Sequence, residues 1–422
     1  MAYPTPAESA LPVEDDESTT ADGDGGTVVC CVHEVQARGV CRDRLSARSL
    51  TVVVPTGFVR RGFVLAPFVG LPVLFLVWGS RPAPIVAVLL ALVHVVLVTA
   101  SVHHAEAIAH RVGEPFGTLV LAVAVTVIEV SLIVTLMVSE GPKAGTLARD
   151  TVFAAVMIVC NGVVGLSVVV GARRRRVVRF SEQGANALLG TVVTVATLSL
   201  VLPTFTSSSS GGTFTGPQLA FAAVAAATVY GVFVFVQTVG HRWMFLSPEA
   251  LSDESDDVFA HVAPRTSTDG RSDGLVLHIV LLVVGLVGVI GFAKTLAPSI
   301  EDAVTWAGAP QSFVGVVMAL MILLPESVAA IRAAHRGEMQ TSLNLSLGSA
   351  LASIGLTIPA IAVASIWLDG PIVLGLDGKE IVLLALTAVV GSLTFGSGRA
   401  TVLQGAQHLA IFSAFVFLSI VP

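Results

Sequence analysis

Two carboxylic acids stand in stretches that are otherwise apolar. Glu129 is the one charged residue between Gly117 and Val130, and Glu326 is the one charged residue between Phe313 and Ser327. Nearly all of the other Asp and Glu residues fall in an N-terminal tail, in connections or at the edges of apolar runs. At 1.5 Å rise per residue, Glu129 lies about 18 Å into its run and Glu326 about 21 Å into its own. Both depths are near the middle of a hydrocarbon layer roughly 30 Å thick. An acid there costs about 2.5–3.5 kcal/mol on the lenient insertion scale, unless it faces a wet cavity, a partner or an ion. Two carboxylates sharing such a place repel, share protons and titrate as a coupled pair, or else bind a cation. No Cys or His lies close to either acid in its run, which argues against a soft metal. Oxygen donors suit a hard cation such as Ca²⁺, which takes 6–8 of them.

Other oxygen ligands are available in the runs that follow. Asn161-Gly162 comes after Glu129, and Asn344, Ser349 and Ser353 come after Glu326; the small residues among them also permit close helix packing. Pro325 cannot donate to a helix ladder, so it frees the carbonyl near Met321 toward the site. Each acid also has a serine within two residues, Ser131 and Ser327.

The elements that carry these residues follow from composition. Of 422 residues, 54% are hydrophobic and 12% charged, with a mean hydropathy of +0.86. A soluble domain carries roughly 25% charged residues, and the apolar runs are long and lack the alternation of barrel strands. A soluble enzyme and an outer-membrane barrel are excluded, leaving an all-α polytopic membrane protein. Breaks at Gly, Pro and charge give eleven expected spans: 62–79, 83–106, 117–138, 151–171, 186–202, 217–239, 273–294, 312–333, 342–366, 379–396 and 400–420. With the N-terminus in the cytoplasm, the inner connections gather most of the basic residues, including Arg173 to Arg176, Arg332, Arg336 and Arg399. The outer ones hold only Arg81, Lys143, Arg149, Lys294 and Lys379, as the positive-inside rule requires. An odd number of spans then places the C-terminus outside.

The acidic connection 240–272, with Glu249, Asp253, Glu254, Asp256 and Asp257, reads as a solvated cytoplasmic linker. It divides the chain into a tail (1–61, read as disordered), an extra first helix (62–79), and two five-span units (83–239 and 273–422). The first unit starts outside and ends inside, so the second must run the other way, as in inverted-repeat transporters. Glu129 and Glu326 each occupy the second helix of their unit.

His103, His104 and Glu106 stand at the inner end of the second span and fit either a proton path or gate, or a simple interfacial role. Arg173 to Arg176 reads as a topology anchor with attraction for anionic lipid. Glu114-Pro115 reads as a helix start. Arg399 and His408 are placed with support of the last helix or a proton path. Cys30, Cys31, Cys41 and Cys160 form no CxxC pair, so neither a disulfide framework nor a zinc site is expected. Nothing points to nucleic acid or to a resident cofactor.

At several of these motifs the chain resembles the bacterial ChaA-type calcium/proton antiporters. His103-His104-Ala105-Glu106, then Arg111-Val112-Gly113-Glu114-Pro115 and on to Glu129, is similar to that family's first repeat. Leu324-Pro325-Glu326 with Asn344 to Ser353 resembles the second repeat, and Gly396 to Ala410 resembles the final helices. The resemblance runs from about residue 65 to the end. It implies the cation/Ca²⁺ exchanger fold, ten helices in two inverted repeats plus an extra first helix, in a bacterial inner membrane. It also implies that Glu129 and Glu326 bind the cation. Relatives outside the ChaA branch often carry Gly-Asn before the acid, whereas Val127-Ile128 and Leu324-Pro325 stand here. Ca²⁺/H⁺ exchange and Na⁺(K⁺)/H⁺ exchange both remain open. An intramembrane hydrolase or lipid transferase lacks an HExxH, GxSxG or Asp-rich motif in this sequence. A cation channel fits two inverted acids in one chain less well than a carrier does.

Overall fold

The computed structural model describes residues 56–112, 126–127, 129–131, 133–134, 137, 145–247, 273–367 and 372–421. The expected tail up to residue 55, most of the span 117–138 with Glu114-Pro115, and the acidic stretch 249–257 lie outside them. The described chain is helical apart from one small ribbon. Its helices are α1 (Thr56–Val77), α2 (Pro84–Val112), α3 (Leu147–Met157), α4 (Val164–Arg175), α5 (Glu182–Ala196), α6 (Leu202–Phe205) and α7 (Gly216–Phe235). After the linker come α8 (Asp273–Trp306), α9 (Ser312–Arg336), α10 (Met339–Ala364), α11 (Gly378–Phe395) and α12 (Val402–Ile420). Among the described residues eight helical spans are long and apolar enough to cross a membrane, or nine with α9, which bends by 53° between Ser312–Leu324 and Glu326–Arg336. A bend at Pro325 is what a missing ladder donor causes.

Local sequence sets where these helices begin. Ser181 caps α5, accepting from the Gly184 N–H. Thr215 with Gln218, Asp377 with Glu380, and Thr401 with Gln404 form reciprocal capping boxes on α7, α11 and α12, satisfying N–H groups that the first turn leaves free. Gly337, at φ +92°, ends α9 in the left-handed conformation that suits glycine.

Three expected boundaries are moved by the structure. Helix α1 begins at Thr56, so residues 57–61 belong to a helix rather than to the tail; Arg60-Arg61 is a polar pair inside a helix, not a break. Helix α8 runs on to Trp306 instead of ending at 294. Lys294 does not stop it because its ammonium sits 5.9 Å from the ring centre of Trp78, a favourable cation–π geometry. Arg149, expected in an outer connection, is buried in the first turn of α3, where its Nε donates to Asp150 at 2.8 Å and its Nη1 to the Gly375 carbonyl at 2.9 Å. The paired charges are tolerated inside because each satisfies the other.

Packing separates two groups of helices. α1, α2 and α8 pack on one another around Leu74, Leu97 and Phe292. The others surround a large core built on α3, α4, α5 and α10. Two features join the early and late helices of that core. β1 (Val177–Arg179) pairs antiparallel with β2 (Arg399–Thr401), Val178 opposite Ala400. Gly165 on α4 and Gly405 on α12 cross so closely that a Cβ on Gly165 would lie 3.0 Å from both the Gly405 carbonyl and the His408 Cβ.

Removing Arg149 while keeping Asp150 leaves a buried carboxylate without its cation. Arg149→Met is expected to cost about 3–5 kcal/mol, seen as a lower unfolding temperature in detergent. The double variant Arg149→Met/Asp150→Leu is expected to recover most of that loss.

Candidate cation site

Glu129 and Glu326 are both buried, 2% and 7% exposed. They come from different parts of the chain, yet each is held by the same helix. Ser353 Oγ donates to Glu129 Oε1 at 2.5 Å, and Ser349 Oγ donates to Glu326 Oε2 at 2.7 Å. Both serines are on α10, four residues apart. That spacing places them on one face and about 6 Å apart along the axis. One helix face therefore presents two hydroxyls to two carboxylates.

Small side chains make α10 suitable for this task. Gly348, Ser349, Ala350, Ala352, Ser353 and Gly355 leave room for neighbours to approach. Gly355 is needed at its place, since a Cβ there would lie 2.9 Å from the Tyr230 Cβ of α7. The bend of α9 falls directly before Glu326, so the turn bearing the acid departs from the axis of Ser312–Leu324.

The remaining residues singled out from the sequence are distributed around this pair. Ser327 turns its hydroxyl back to the Leu323 carbonyl of its own helix at 2.7 Å; the serines that reach the acids come from α10 instead. Asn344 donates to the Phe245 carbonyl at 2.7 Å and accepts from Gln340 at 2.9 Å. It thereby ties α10 to the short 3₁₀ turn Arg242–Phe245 that opens the linker. Asn161 is fully buried in a π-helical turn, Ile158–Val163, that joins α3 to α4. Its side chain is engaged with Thr387 of α11 and His408 of α12. His104 of α2 meets His278 of α8, with the two Nδ1 atoms 2.9 Å apart, and His103 adjoins His104 with ring centres 5.8 Å apart. The Glu106 side chain lies outside the described set. His278 was not singled out from the sequence, because a lone histidine at the start of an apolar run carries no spacing signal.

The donor set suits a hard cation. Two carboxylates and two hydroxyls supply only oxygen, and among the described residues no group of three or more His, Cys, Asp or Glu converges. A cation held here would complete its shell from hydroxyls, carbonyls and water. In its absence the same carboxylates can carry protons and donate to each other or to serine oxygens.

Comparison with known proteins places the chain in a family. The family model for the sodium/calcium exchanger protein matches residues 82–239 and 277–421. The protein y4hA of Sinorhizobium fredii (strain NBRC 101917 / NGR234) is 46% identical over 325 residues, covering 77% of this chain and 86% of that one. The sodium-potassium/proton antiporter ChaA of Escherichia coli (strain K12) is 35% identical over 360 residues, covering 84% and 94%. Among solved structures, native YfkE aligns with a TM-score of 0.62 at 16% identity over 86% of this chain and 98% of its own. The H⁺/Ca²⁺ exchanger CAX aligns with a TM-score of 0.62 at 14% identity over 86% and 93%. At those identities the two structures establish a shared fold.

Each serine satisfies a buried acid. Ser353→Ala and Ser349→Ala are each expected to lower stability by about 1–3 kcal/mol, with Ser353→Thr nearer to wild type, as measured by thermal unfolding in detergent at neutral pH.

Proposed function

The chain is a member of the sodium/calcium exchanger family, and on that premise we propose that it is a secondary active antiporter that expels cytoplasmic Ca²⁺ in exchange for protons. The observation that carries this reading is the pair of buried carboxylates held by one face of α10. Glu129 and Glu326 bind either the cation or protons, with Ser349 and Ser353 as supporting oxygens. Asn161 and Asn344 serve the site by holding the neighbouring turns rather than by touching the acids in this conformation. His103 and His104 belong to a proton path or gate toward the inner end of α2, with Glu106 assigned to it from the sequence alone.

Exchange is obligatory for an electrostatic reason. An empty site carries two uncompensated negative charges, and moving them past a dry barrier is far costlier than moving a neutralised pair. Only the cation-loaded and the protonated forms interconvert between the two sides. Protons entering down their gradient displace the cation and return the site to the cytoplasm. The protein on this reading is a transporter, with no enzymatic step and no cofactor beyond the ions it moves; its partners are those ions and membrane lipid.

The proposed architecture is an extra helix, α1 (Thr56–Val77), then two five-helix repeats over 83–239 and 273–422 in opposite orientation, eleven spans in all. The N-terminus is cytoplasmic and the C-terminus outside, in a bacterial inner membrane. The linker 240–272 and the tail ahead of α1 are both cytoplasmic. The basic residues at the ends of α4 and α9 support this orientation. A second reading, Na⁺(K⁺)/H⁺ exchange through the same carboxylates, is favoured by the name of the relative from Escherichia coli. The four oxygens discriminate weakly between mono- and divalent ions.

In proteoliposomes with an acid interior, adding Ca²⁺ is expected to collapse the pH gradient, and Glu129→Gln or Glu326→Gln to reduce the rate at least about a hundredfold. A response to Na⁺ or K⁺ but not Ca²⁺ selects the second reading. Unimpaired exchange in both variants places the site elsewhere.

A further inference from the structure

His408 is buried in α12, 1% exposed, and both of its ring nitrogens have partners on other helices. Nδ1 lies 3.2 Å from Asn161 Oδ1 in the π-helical turn, and Nε2 lies 3.2 Å from Thr394 Oγ1 on α11. Phe395 stacks over the imidazole with an interplanar angle of 25°. Among the described residues, its hydrogen-bonding partners Asn161 and Thr394, and Thr387 beyond Asn161, carry no charge.

The hydrogen bonds determine one another. The Thr387 hydroxyl donates to the Leu383 carbonyl at 2.7 Å, so its oxygen accepts from Asn161 Nδ2 at 2.9 Å. Asn161 therefore turns its Oδ1 toward His408, and the ring must donate from Nδ1. A neutral imidazole has one N–H, so Nε2 accepts from the Thr394 hydroxyl. With the Asn161 amide in this orientation, the Nδ1–H tautomer satisfies every polar group of the network. The network is also reached only because Gly165 and Gly405 let α4 and α12 touch, bringing the His408 Cβ against the backbone of α4.

The turn that this ring grips is next to the cation site. Ile158–Val163 packs against both α10, which carries Ser349 and Ser353, and α9, which carries Glu326. A π turn is wider than the helix around it and persists where side chains hold it, often at functional sites. We propose that His408 is a positioning residue for the exchange reaction: its neutral Nδ1–H form clamps the Cys160–Asn161 turn against α10 and so sets how the two serine-bound carboxylates face each other. The inference rests on the exchange reading of Glu129 and Glu326. It gives His408 no direct contact with the transported ion.

The test compares His408→Leu with His408→Asn, whose amide restores an N–H near the place of Nδ1. His408→Leu is expected to raise the half-saturating Ca²⁺ concentration about tenfold, the scale for losing an outer partner of a metal site, with the maximal rate within about twofold of wild type. His408→Asn is expected to stay within about threefold of wild type in both. Thr394→Val, which removes only the Nε2 partner, is expected to move half-saturation in the same direction by about threefold, and it keeps the test available if His408→Leu does not fold. A second readout needs no transport. With Cys30, Cys31 and Cys41 replaced by serine, Cys160 is the sole thiol, and its alkylation by a maleimide is expected to be faster in His408→Leu than in wild type or His408→Asn. Unchanged half-saturation in His408→Leu, equal loss in His408→Leu and His408→Asn, or an unchanged alkylation rate each overturns the proposal. If wild type moves no protons with any cation, the exchange reading fails, while the alkylation rates still decide the clamp.

Discussion

A buried carboxylate must have a partner, and this chain meets that demand twice with one helix face. Glu129 and Glu326 arrive from helices far apart in sequence, and α10 offers each a serine hydroxyl one helical turn apart. Much of the surrounding architecture serves that meeting. α10 is rich in small residues so that α7 and α9 can approach, α9 bends where the proline precedes its acid, and Asn344 fixes the start of α10 against the linker. The acids repel, so only an added cation or added protons make the cluster electrically quiet. On the proposed reading, the same requirement that makes the site expensive to bury makes it responsive to both ions.

A second layer of buried polarity lies behind the first. Asn161, Thr387, Thr394 and His408 form a network whose members are all satisfied and uncharged. Buried networks of this kind define one arrangement because any slip strands a donor or an acceptor. Here the arrangement is a widened turn in the α3–α4 rod, wedged between the site helices and the last two helices. The ribbon between β1 and β2 and the close crossing of Gly165 with Gly405 tie the same elements together. By contrast, α1, α2 and α8 pack chiefly on one another. They bear their own polar contact in the His104–His278 pair.

The burial of the two acids and the all-helical membrane character were legible in the linear sequence. Each depends on local composition: apolar runs longer than a bilayer needs, and charges so costly there that their presence implies use. Helix starts were nearly as legible, because Ser, Thr and Asp caps act within three residues. Ends were less so. Lys294 looked like a terminus and Arg149 like part of a connection, since the Trp78 ring and the Asp150 and Gly375 oxygens that accommodate them are brought there by folding.

Partnership was decided only in three dimensions. Ser349 and Ser353 could be named as ligands of the pair, but not which serine meets which acid. Each acid also has a serine within two residues in its own helix, Ser131 and Ser327, yet Ser327 spends its hydroxyl on its own helix. Asn161 carried the same sequence-level signal as the serines and turns instead toward His408 and Thr387. His408 was placed with support of the last helix or a proton path, but its partners Asn161 and Thr394 were not visible. The physical reason is common to these cases. Spacing along a helix fixes which side chains share a face, whereas the element that this face meets depends on long-range packing of many apolar surfaces that look alike in sequence. Hydrocarbon depth selected the residues that needed partners, and the tertiary structure chose the partners.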